Sequence, residues 1–150
     1  MQIIEYNPKY KEQFIEFNKD WIIDNFGFVE ENDIKTFENI EKYLNNGSMI
    51  YMAADKDVLL AGCMAKKDSS DEWEICKLCS NKHIEHKGAG TKVFKACFDY
   101  VLQNGAKRVY IISNSKLKAA LHIYKKFGFK EIKLGSYNYT RGNIAFEYLP

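Results

Sequence analysis

A glycine-rich segment between a predicted strand and a predicted helix is the clearest candidate for chemistry in the chain. Gly88 and Gly90 remove side chains where the backbone must turn sharply, and they leave amide N–H groups free to point at an anion. The helix that follows adds unpaired N-terminal amides and the positive end of its dipole. The segment therefore predicts a site for a phosphate or pyrophosphate. The residues assigned to it are Glu85, His86, Lys87, Gly88, Ala89, Gly90 and Thr91.

A simpler interpretation of this loop is that its glycines only form a tight turn, and the loop alone leaves both interpretations open. Other phosphate-binding motifs fit less well. A Walker A loop requires Gly-x-x-x-x-Gly-Lys-[Ser/Thr], whereas the order here is Gly90, Thr91, Lys92. A dinucleotide fingerprint requires a third glycine where Val93 stands. Nucleotide hydrolysis and NAD binding are therefore disfavoured.

Cys76 and Cys79 form a C-x-x-C pair, a spacing that occurs in redox and zinc sites. They lie in the segment 73–80, which is predicted to be a strand, and on a regular strand positions three apart point to opposite faces. No second pair of ligands follows at zinc-site spacing, and the three histidines have no partner at triad or metal spacing. The pattern favours cysteines that pack as small apolar side chains, and it predicts no metal site.

The elements that must position these residues follow from the apolar periodicity. Helices are predicted where apolar residues recur at three- and four-residue steps, and strands where they alternate or form short runs between turn residues. In chain order the predicted segments are strand 2–6, helices 9–26 and 31–44, strands 48–54, 58–67 and 73–80, a helix after Gly90, strand 108–112, helix 117–127, and strands 129–133 and 143–149. This order predicts one α/β domain over residues 1–150, with a mixed sheet that is antiparallel first and parallel around the strand–loop–helix unit.

The composition, 46% apolar and 28% charged over 150 residues, is that of an ordinary globular domain. The net charge is +2, and the densest basic stretch, 116–126, carries apolar residues at helical spacing. Such a stretch is typical of the solvated face of an amphipathic helix and argues against nucleic-acid binding. No apolar run reaches the ~18 residues of a membrane span, and no signal-peptide pattern is present, so we expect a cytoplasmic protein with reduced cysteines.

Several segments share their order and spacing with the motifs of one enzyme family. Residues 74–80 are similar to Glu-Leu-x-Lys-Leu-x-Val, and residues 120–129 are similar to Ala-x-x-x-Tyr-x-x-x-Gly-Phe. Between them, residues 85–90 match [Gln/Arg]-x-x-Gly-x-[Gly/Ala] except at the first position, where Glu85 stands. A closing segment, Tyr139 to Ile144, is similar to one found in some members. The chain thus resembles the GNAT superfamily of acetyl-CoA-dependent N-acetyltransferases.

The resemblance implies a GNAT-like fold, in which about four helices flank a central mixed, mostly antiparallel sheet with a splayed pair of parallel strands. It also implies acetyl-CoA as the co-substrate, with its pyrophosphate on the glycine loop. Its pantetheine arm would pair with the backbone of Leu78, Cys79 and Ser80, where one strand amide polarises the thioester carbonyl.

The resemblance also implies two residues that move protons. Tyr124 takes the position of the general acid that protonates the departing thiolate, although periodicity alone places it in a core-facing stripe, as a packing residue. Glu74 is the candidate base for the incoming ammonium. The alternative for Glu74 is a solvated strand carboxylate paired with Lys77 or a neighbour.

Asn114 follows the strand 108–112 and is a candidate hydrogen-bond partner for the cofactor arm. It is equally suited to be the N-cap of the next helix, with Ser113 or Ser115 as rivals.

The acceptor is expected to be a primary amine of a small molecule or peptide, held by the N-terminal half. An apolar pocket with anionic steering of a cation would suit Trp21, Phe26 and Phe28 together with Asp24, Glu30 and Asp33. Two other functions stay open: a non-catalytic module of this fold that binds acyl-CoA, and a domain that binds another phosphorylated ligand. A homodimer is compatible with the sequence, which does not decide it.

Overall fold

The computed structural model describes residues 1–134 and 141–150. Within these residues the strands are β1 (Gln2–Glu5), β2 (Met49–Asp55), β3 (Val58–Lys67), β4 (Glu72–Ser80), β5 (Arg108–Ser113), β6 (Lys130–Ile132) and β7 (Ile144–Tyr148). The helices are a 3₁₀ turn at Pro8–Tyr10 and α1 (Lys11–Phe26), α2 (Glu31–Glu38), α3 (Ile40–Asn45), α4 (Ala89–Gln103) and α5 (Lys118–Lys126). Every predicted strand is present, with ends that differ by at most one residue.

The strands form one sheet in the order β1-β2-β3-β4-β5-β7-β6. Only β4 and β5 run parallel among the described strands. Their pairing covers just Glu72–Glu74 against Arg108–Tyr110, and beyond these residues the two strands diverge. The predicted α/β fold with a splayed parallel pair is confirmed.

The segment 31–44 is two helices rather than the single one predicted. Asn39 leaves the helical region, with φ −119° and ψ 22°, and its side-chain amide donates to the Lys35 carbonyl oxygen at 2.7 Å. Asparagine competes with the helix for backbone hydrogen bonds, which makes it a common residue at such a break. The described chain therefore has five α-helices where about four were expected.

The two faces of the sheet bury separate apolar clusters. On one face α4 and α5 cover a cluster that includes Trp73, Phe94 and Phe146. On the other, α1 and α3 cover a cluster that includes Phe14 and Met52. All five side chains are at most 1% exposed, and burying a side chain of this size contributes roughly 1.5–3 kcal/mol. The two clusters fix β4 and β5 between helices on both sides.

A β-bulge interrupts β4 at Lys77, whose φ is 56°. Met64 of β3 pairs with Cys76 and Gly62 pairs with Cys79, so two residues of β4 stand opposite one residue of β3. As a result Cys76 and Cys79 contact the same apolar cluster, on the α1 face. The expectation that the two thiols point to opposite faces is therefore wrong, because it assumed a regular strand.

All four cysteines are free thiols, and burial raises the pKa of Cys79 to about 12. In the described residues no group of three or more potential metal ligands is found. None of the described helices is long and apolar enough to cross a membrane. Of the predicted closing segment, Tyr139 and Thr140 lie outside the described residues.

Candidate active site

A cavity of about 380 Å³ opens where β4 and β5 diverge. Its walls come from both strands, from Gly90 and Phe94 of α4 and from Tyr124 of α5 on one face of the sheet, and from the end of α1 on the other. It therefore passes through the gap between the strands and joins the two faces. Residues 74–80 and 111–114 line it, and these include the predicted contacts Leu78, Cys79, Ser80 and Asn114.

The β4 backbone presents unpaired polar groups to this gap. The Asn81 amide donates to the Leu60 carbonyl oxygen of β3 at 2.9 Å. Because consecutive residues of a strand direct their backbone groups to opposite edges, the amides of Leu78 and Ser80 face away from β3, toward β5. No pairing with β5 reaches them, since it ends at Glu74. These amides are suitably placed to donate to a ligand that enters between the strands.

The glycine loop leads into the N-terminus of α4, at one end of the cavity. Gly88 is the N-cap, and its φ of 86° explains a glycine there by backbone conformation alone. Gly90 has no positive φ, and a Cβ added to it would meet nothing within 4 Å, so the fold itself does not require a glycine at this position. Among the described residues the amides of Gly90 and Thr91 make no backbone hydrogen bond. The loop thus keeps an open, donor-rich surface, a cradle that fits a phosphate or pyrophosphate.

The other predicted loop residues surround this surface. Glu85, His86 and Lys87 are exposed, Ala89 is buried and Thr91 is half-buried. The Glu85 carboxylate therefore lies in solvent and is not enclosed beside the amides.

Tyr124 is 7% exposed and lines the cavity from α5. Burial raises the pKa of its phenol, and a hydrogen bond with Ser113 at the end of β5 partly offsets this effect. The ring also packs on Phe94 and Phe146, with centroids 5.5 and 5.6 Å apart. The predicted packing role and a position in the cavity are thus both realised, and the phenol is protonated at neutral pH.

Glu74 is 2% exposed and also lines the cavity. Burial raises the pKa of its carboxyl group, and the positive charges of Lys66 and Lys77 only partly lower it. Lys66 Nζ lies 3.7 Å from Glu74 Oε1. The Glu74 carboxylate therefore pairs with a neighbouring lysine, as the alternative interpretation proposed. It is buried, however, and the expectation that it is solvated is wrong. A buried carboxylate with a raised pKa suits a general base.

Asn114 is held by the protein on both sides of its amide. Its Nδ2 donates to the Arg141 carbonyl oxygen at 2.6 Å, and its Oδ1 accepts from the Lys116 amide at 3.0 Å. The N-cap of α5 is Leu117, without a side-chain cap, so none of Asn114, Ser113 and Ser115 caps this helix. Asn114 instead closes an Asx turn at the mouth of the cavity.

Trp21, Asn25 and Phe26 line the cavity on the α1 side. Phe28, which was predicted to join them, is 57% exposed and does not. Asp24 is also exposed and pairs with Lys82 at 3.3 Å. Two of the three predicted aromatic residues are therefore in place.

The remaining predicted carboxylates, Glu30 and Asp33, are neutralised inside the protein. Lys77 Nζ lies 2.6 Å from Asp33 Oδ1, and Arg141 binds both Asp33 oxygens at 2.6 and 2.8 Å. Arg141 also contacts Glu30 at 2.9 Å. Burial alone would raise the pKa of Asp33, but Arg141 and Lys77 more than offset it and hold that pKa below its usual value. These carboxylates do not provide the predicted anionic steering.

Sequence reasoning missed Lys66, Arg141, Ser113 as a partner of Tyr124, and the pairing of Lys77 with Asp33. Lys77 carried a usable signal, because it is a charged residue inside the otherwise apolar run from Ile75 to Cys79. Arg141 carried none, since its partners lie 108 and 111 residues earlier in the chain.

Comparison with known proteins gives a family-model match over residues 12–129 to the Acetyltransferase (GNAT) family. A curated relative, N-alpha-acetyltransferase 30 of Schizosaccharomyces pombe, is 25% identical over 103 residues, which cover 66% of this chain and 69% of that protein.

Solved structures resemble the fold over nearly the whole chain. A GNAT-family acetyltransferase from Staphylococcus aureus Mu50 has a TM-score of 0.85 at 24% identity, covering 99% of this chain and 98% of that one. The yncA protein of Salmonella typhimurium, solved with its cofactor acetyl-CoA, has a TM-score of 0.79 at 11% identity, covering 99% and 92%. At these identities the structural likeness establishes the fold.

Proposed function

Because the chain belongs to the acetyltransferase (GNAT) family, whose co-substrate is acetyl-CoA, we propose that it transfers the acetyl group to a primary amine of a small molecule or peptide. The observation that carries this proposal is the cavity between β4 and β5, which has Glu74 and Tyr124 in its walls and the open glycine loop at one end. Bound acetyl-CoA supplies an activated acyl group with a thiolate leaving group.

The glycine loop binds the pyrophosphate through backbone donors. The amides of Gly90 and Thr91 and the positive end of α4 face the anion, and the absence of a side chain at Gly90 lets it approach. A backbone cradle does not depend on side-chain identity, so the exposed Glu85 is compatible with binding. The pantetheine arm runs along Leu78, Cys79 and Ser80, where the amides of Leu78 and Ser80 face the gap. Asn114 forms the rim of this channel.

Negative charge develops on the acetyl carbonyl oxygen when the amine attacks. An amide of β4 that already points into the cavity stabilises this charge without reorganisation. Tyr124, whose burial favours the protonated phenol, then donates its proton to the leaving sulfur and recovers one from the acetylated nitrogen as that nitrogen becomes a neutral amide.

Glu74 accepts the proton of the incoming ammonium. The raised pKa of Glu74 brings the carboxylate closer to the basicity that a general base needs near neutral pH. Lys66, which faces both Glu74 and Asp68, balances the charge of the buried carboxylate.

The charges around the cavity favour an acceptor with a single ammonium group. Among the described residues that line it, Glu74 is the only carboxylate, whereas Lys77, Lys118 and Arg141 are cations. Asp33 and Glu30 neutralise Lys77 and Arg141, but a second ammonium group on the acceptor would find no carboxylate other than Glu74 among the described lining residues. The curated relative named an N-alpha-acetyltransferase supports the same choice of a peptide-like acceptor.

Thermal unfolding with acetyl-CoA, CoA, ATP and NADH tests the cofactor. A ligand at about 100 times its dissociation constant adds roughly 2.7 kcal/mol, or about 5–10 °C for a domain of this size. We expect a shift with acetyl-CoA and CoA, and amine-dependent release of CoA thiol. A shift without thiol release from any amine would identify the non-catalytic module, and a shift with ATP or NADH alone would refute the cofactor assignment.

A further inference from the structure

A buried charge cluster joins the start of α2, the β4 bulge and the segment after residue 140. Asp33 is 0% exposed and Lys77 is 3% exposed by side chain, with 2.6 Å between them. Arg141 forks onto Asp33 and also reaches Glu30, which forms a capping box with Asp33 at the N-terminus of α2. The Phe37 ring lies 5.5 Å from Lys77 Nζ. Two cations thus meet two carboxylates in a neutral, enclosed set.

The backbone at Lys77 is in a conformation that a lysine disfavours. A φ of 56° inside a strand is a glycine or asparagine conformation, and side chains with a Cβ adopt it only when their surroundings impose it. The enclosed ion pair with Asp33 and the Phe37 ring are contacts of this side chain that favour the bulged conformation.

The bulge decides which amides of β4 face the cavity. With it, the amide of Cys79 faces β3, and those of Leu78 and Ser80 face the gap. A regular strand would shift this alternation by one residue, so that Leu78 and Ser80 would bond to β3 instead. The amides offered to a ligand between the strands therefore depend on the conformation of a single residue.

We propose that Asp33 and Lys77 are positioning residues for acetyl transfer: their ion pair holds the β4 bulge and thereby aims the amides of Leu78 and Ser80 at the reacting carbonyl. This inference rests on the proposed function for its catalytic consequence. Its structural part, the control of the bulge by the ion pair, is independent of any activity.

Two variants of Lys77 that differ by one methyl group distinguish the effect of the β4 bulge from the effect of the lysine charge. Both Lys77→Gly and Lys77→Ala remove the ammonium group, and both remove its effect on Glu74 equally. Only glycine adopts a φ of 56° without strain, so Lys77→Gly keeps the bulge and Lys77→Ala favours a regular strand. Arg141 binds both Asp33 oxygens in the wild type, so we expect Asp33 to keep this partner in each variant.

Amide hydrogen exchange by NMR in the unliganded proteins reads the bulge directly. We expect fast exchange at Leu78 and Ser80 and slow exchange at Cys79 in the wild type and in Lys77→Gly. In Lys77→Ala the pattern should shift by one residue, so that Leu78 and Ser80 become protected. A wild-type exchange pattern in Lys77→Ala would overturn the proposal.

Steady-state kinetics on the same proteins read the catalytic consequence. We expect kcat of Lys77→Ala to fall at least ~10-fold below that of Lys77→Gly, with a similar acceptor KM, as befits a contact made in the transition state. Equal kcat values in the two variants would overturn the positioning role.

A double-mutant cycle keeps the test decisive if Lys77→Ala does not fold. Asp33→Asn should lower kcat less in the Lys77→Gly background than in the wild type, because the pair is already broken there. An undiminished loss would show that Asp33 acts through Arg141 and would overturn the proposal. Absence of any amine-dependent thiol release from the wild type would instead refute the proposed function. The amide exchange pattern would still test whether the ion pair controls the bulge.

Discussion

Gly90 offers a substitution that should separate binding from folding. A Cβ at this position meets nothing within 4 Å, and the backbone has no positive φ. Replacing glycine by a good helix former in the first turn of α4 should therefore leave stability unchanged or raise it by up to about 1 kcal/mol. The side chain of Gly90→Leu, however, would stand over the free amides of Gly90 and Thr91.

The expected loss of affinity follows from those amides. A hydrogen bond to a charged group contributes about 1.5–3 kcal/mol, and each 1.4 kcal/mol is a factor of ten. Blocking one such bond should weaken acetyl-CoA binding by roughly 10- to 100-fold. Gly90→Ala is the matched control, because a single methyl group keeps helix propensity high and leaves most of the surface open.

Isothermal titration with acetyl-CoA and thermal unfolding of the free proteins measure the two effects. We expect both variants to melt at or slightly above the wild-type temperature, with acetyl-CoA binding weakened by this factor only in Gly90→Leu. Wild-type affinity in Gly90→Leu would show that the pyrophosphate does not lie on these amides. A lowered melting temperature in both variants would show that the glycine is structural.

Further predictions concern the proton transfers, the ion cluster and the acceptor. Tyr124→Phe should lower kcat about 10-fold or more at unchanged acetyl-CoA affinity, and an unchanged kcat would remove Tyr124 from the mechanism. Because the pKa of Glu74 is raised above 4.5, kcat/KM should rise with pH as this carboxyl group loses its proton. Glu74→Gln should lower kcat/KM roughly 100-fold and abolish this rise. A rise with pH that persists in the variant would rule out Glu74 as the base. Asp33→Asn should cost about 3–5 kcal/mol at pH 7 by urea unfolding. Since the folded pKa of Asp33 is lowered, this cost should shrink as the pH falls below 3.8, and a cost that is independent of pH would contradict the ion pair. An alanyl peptide amide should exceed spermidine about tenfold in kcat/KM, and the reverse order would refute the single-ammonium acceptor.

Periodicity predicted the elements well, because most of the fold is decided by local amphipathic patterns. The strand 58–67 was predicted to its ends, because a largely apolar run lies there between two polar turn segments. The helix break at Asn39 was not predicted, because the apolar spacing continues across it and only a side-chain hydrogen bond marks the change.

The site was predicted where backbone chemistry carries a local signature, and missed where it depends on distant partners. Gly88 and Gly90 could be recognised from the loop itself. The bulge at Lys77 could not, because the contact of its side chain is with Asp33, 44 residues earlier. Long-range ion pairs with Lys77 and Arg141 also neutralise Asp33 and Glu30, the carboxylates that were expected to steer a cation. No local sequence pattern indicates these pairs.

Acetyl transfer to an amine is tested most directly by following the acetyl group itself. The wild-type protein is incubated with acetyl-CoA that carries a deuterated acetyl group and with an alanyl peptide amide, and the peptide is then analysed by mass spectrometry alongside a thiol assay. We expect the label on the peptide α-amine, with one CoA thiol released for each acetyl group transferred. Thiol release without labelled peptide, or neither in the presence of bound acetyl-CoA, would contradict amine acetylation at this cavity.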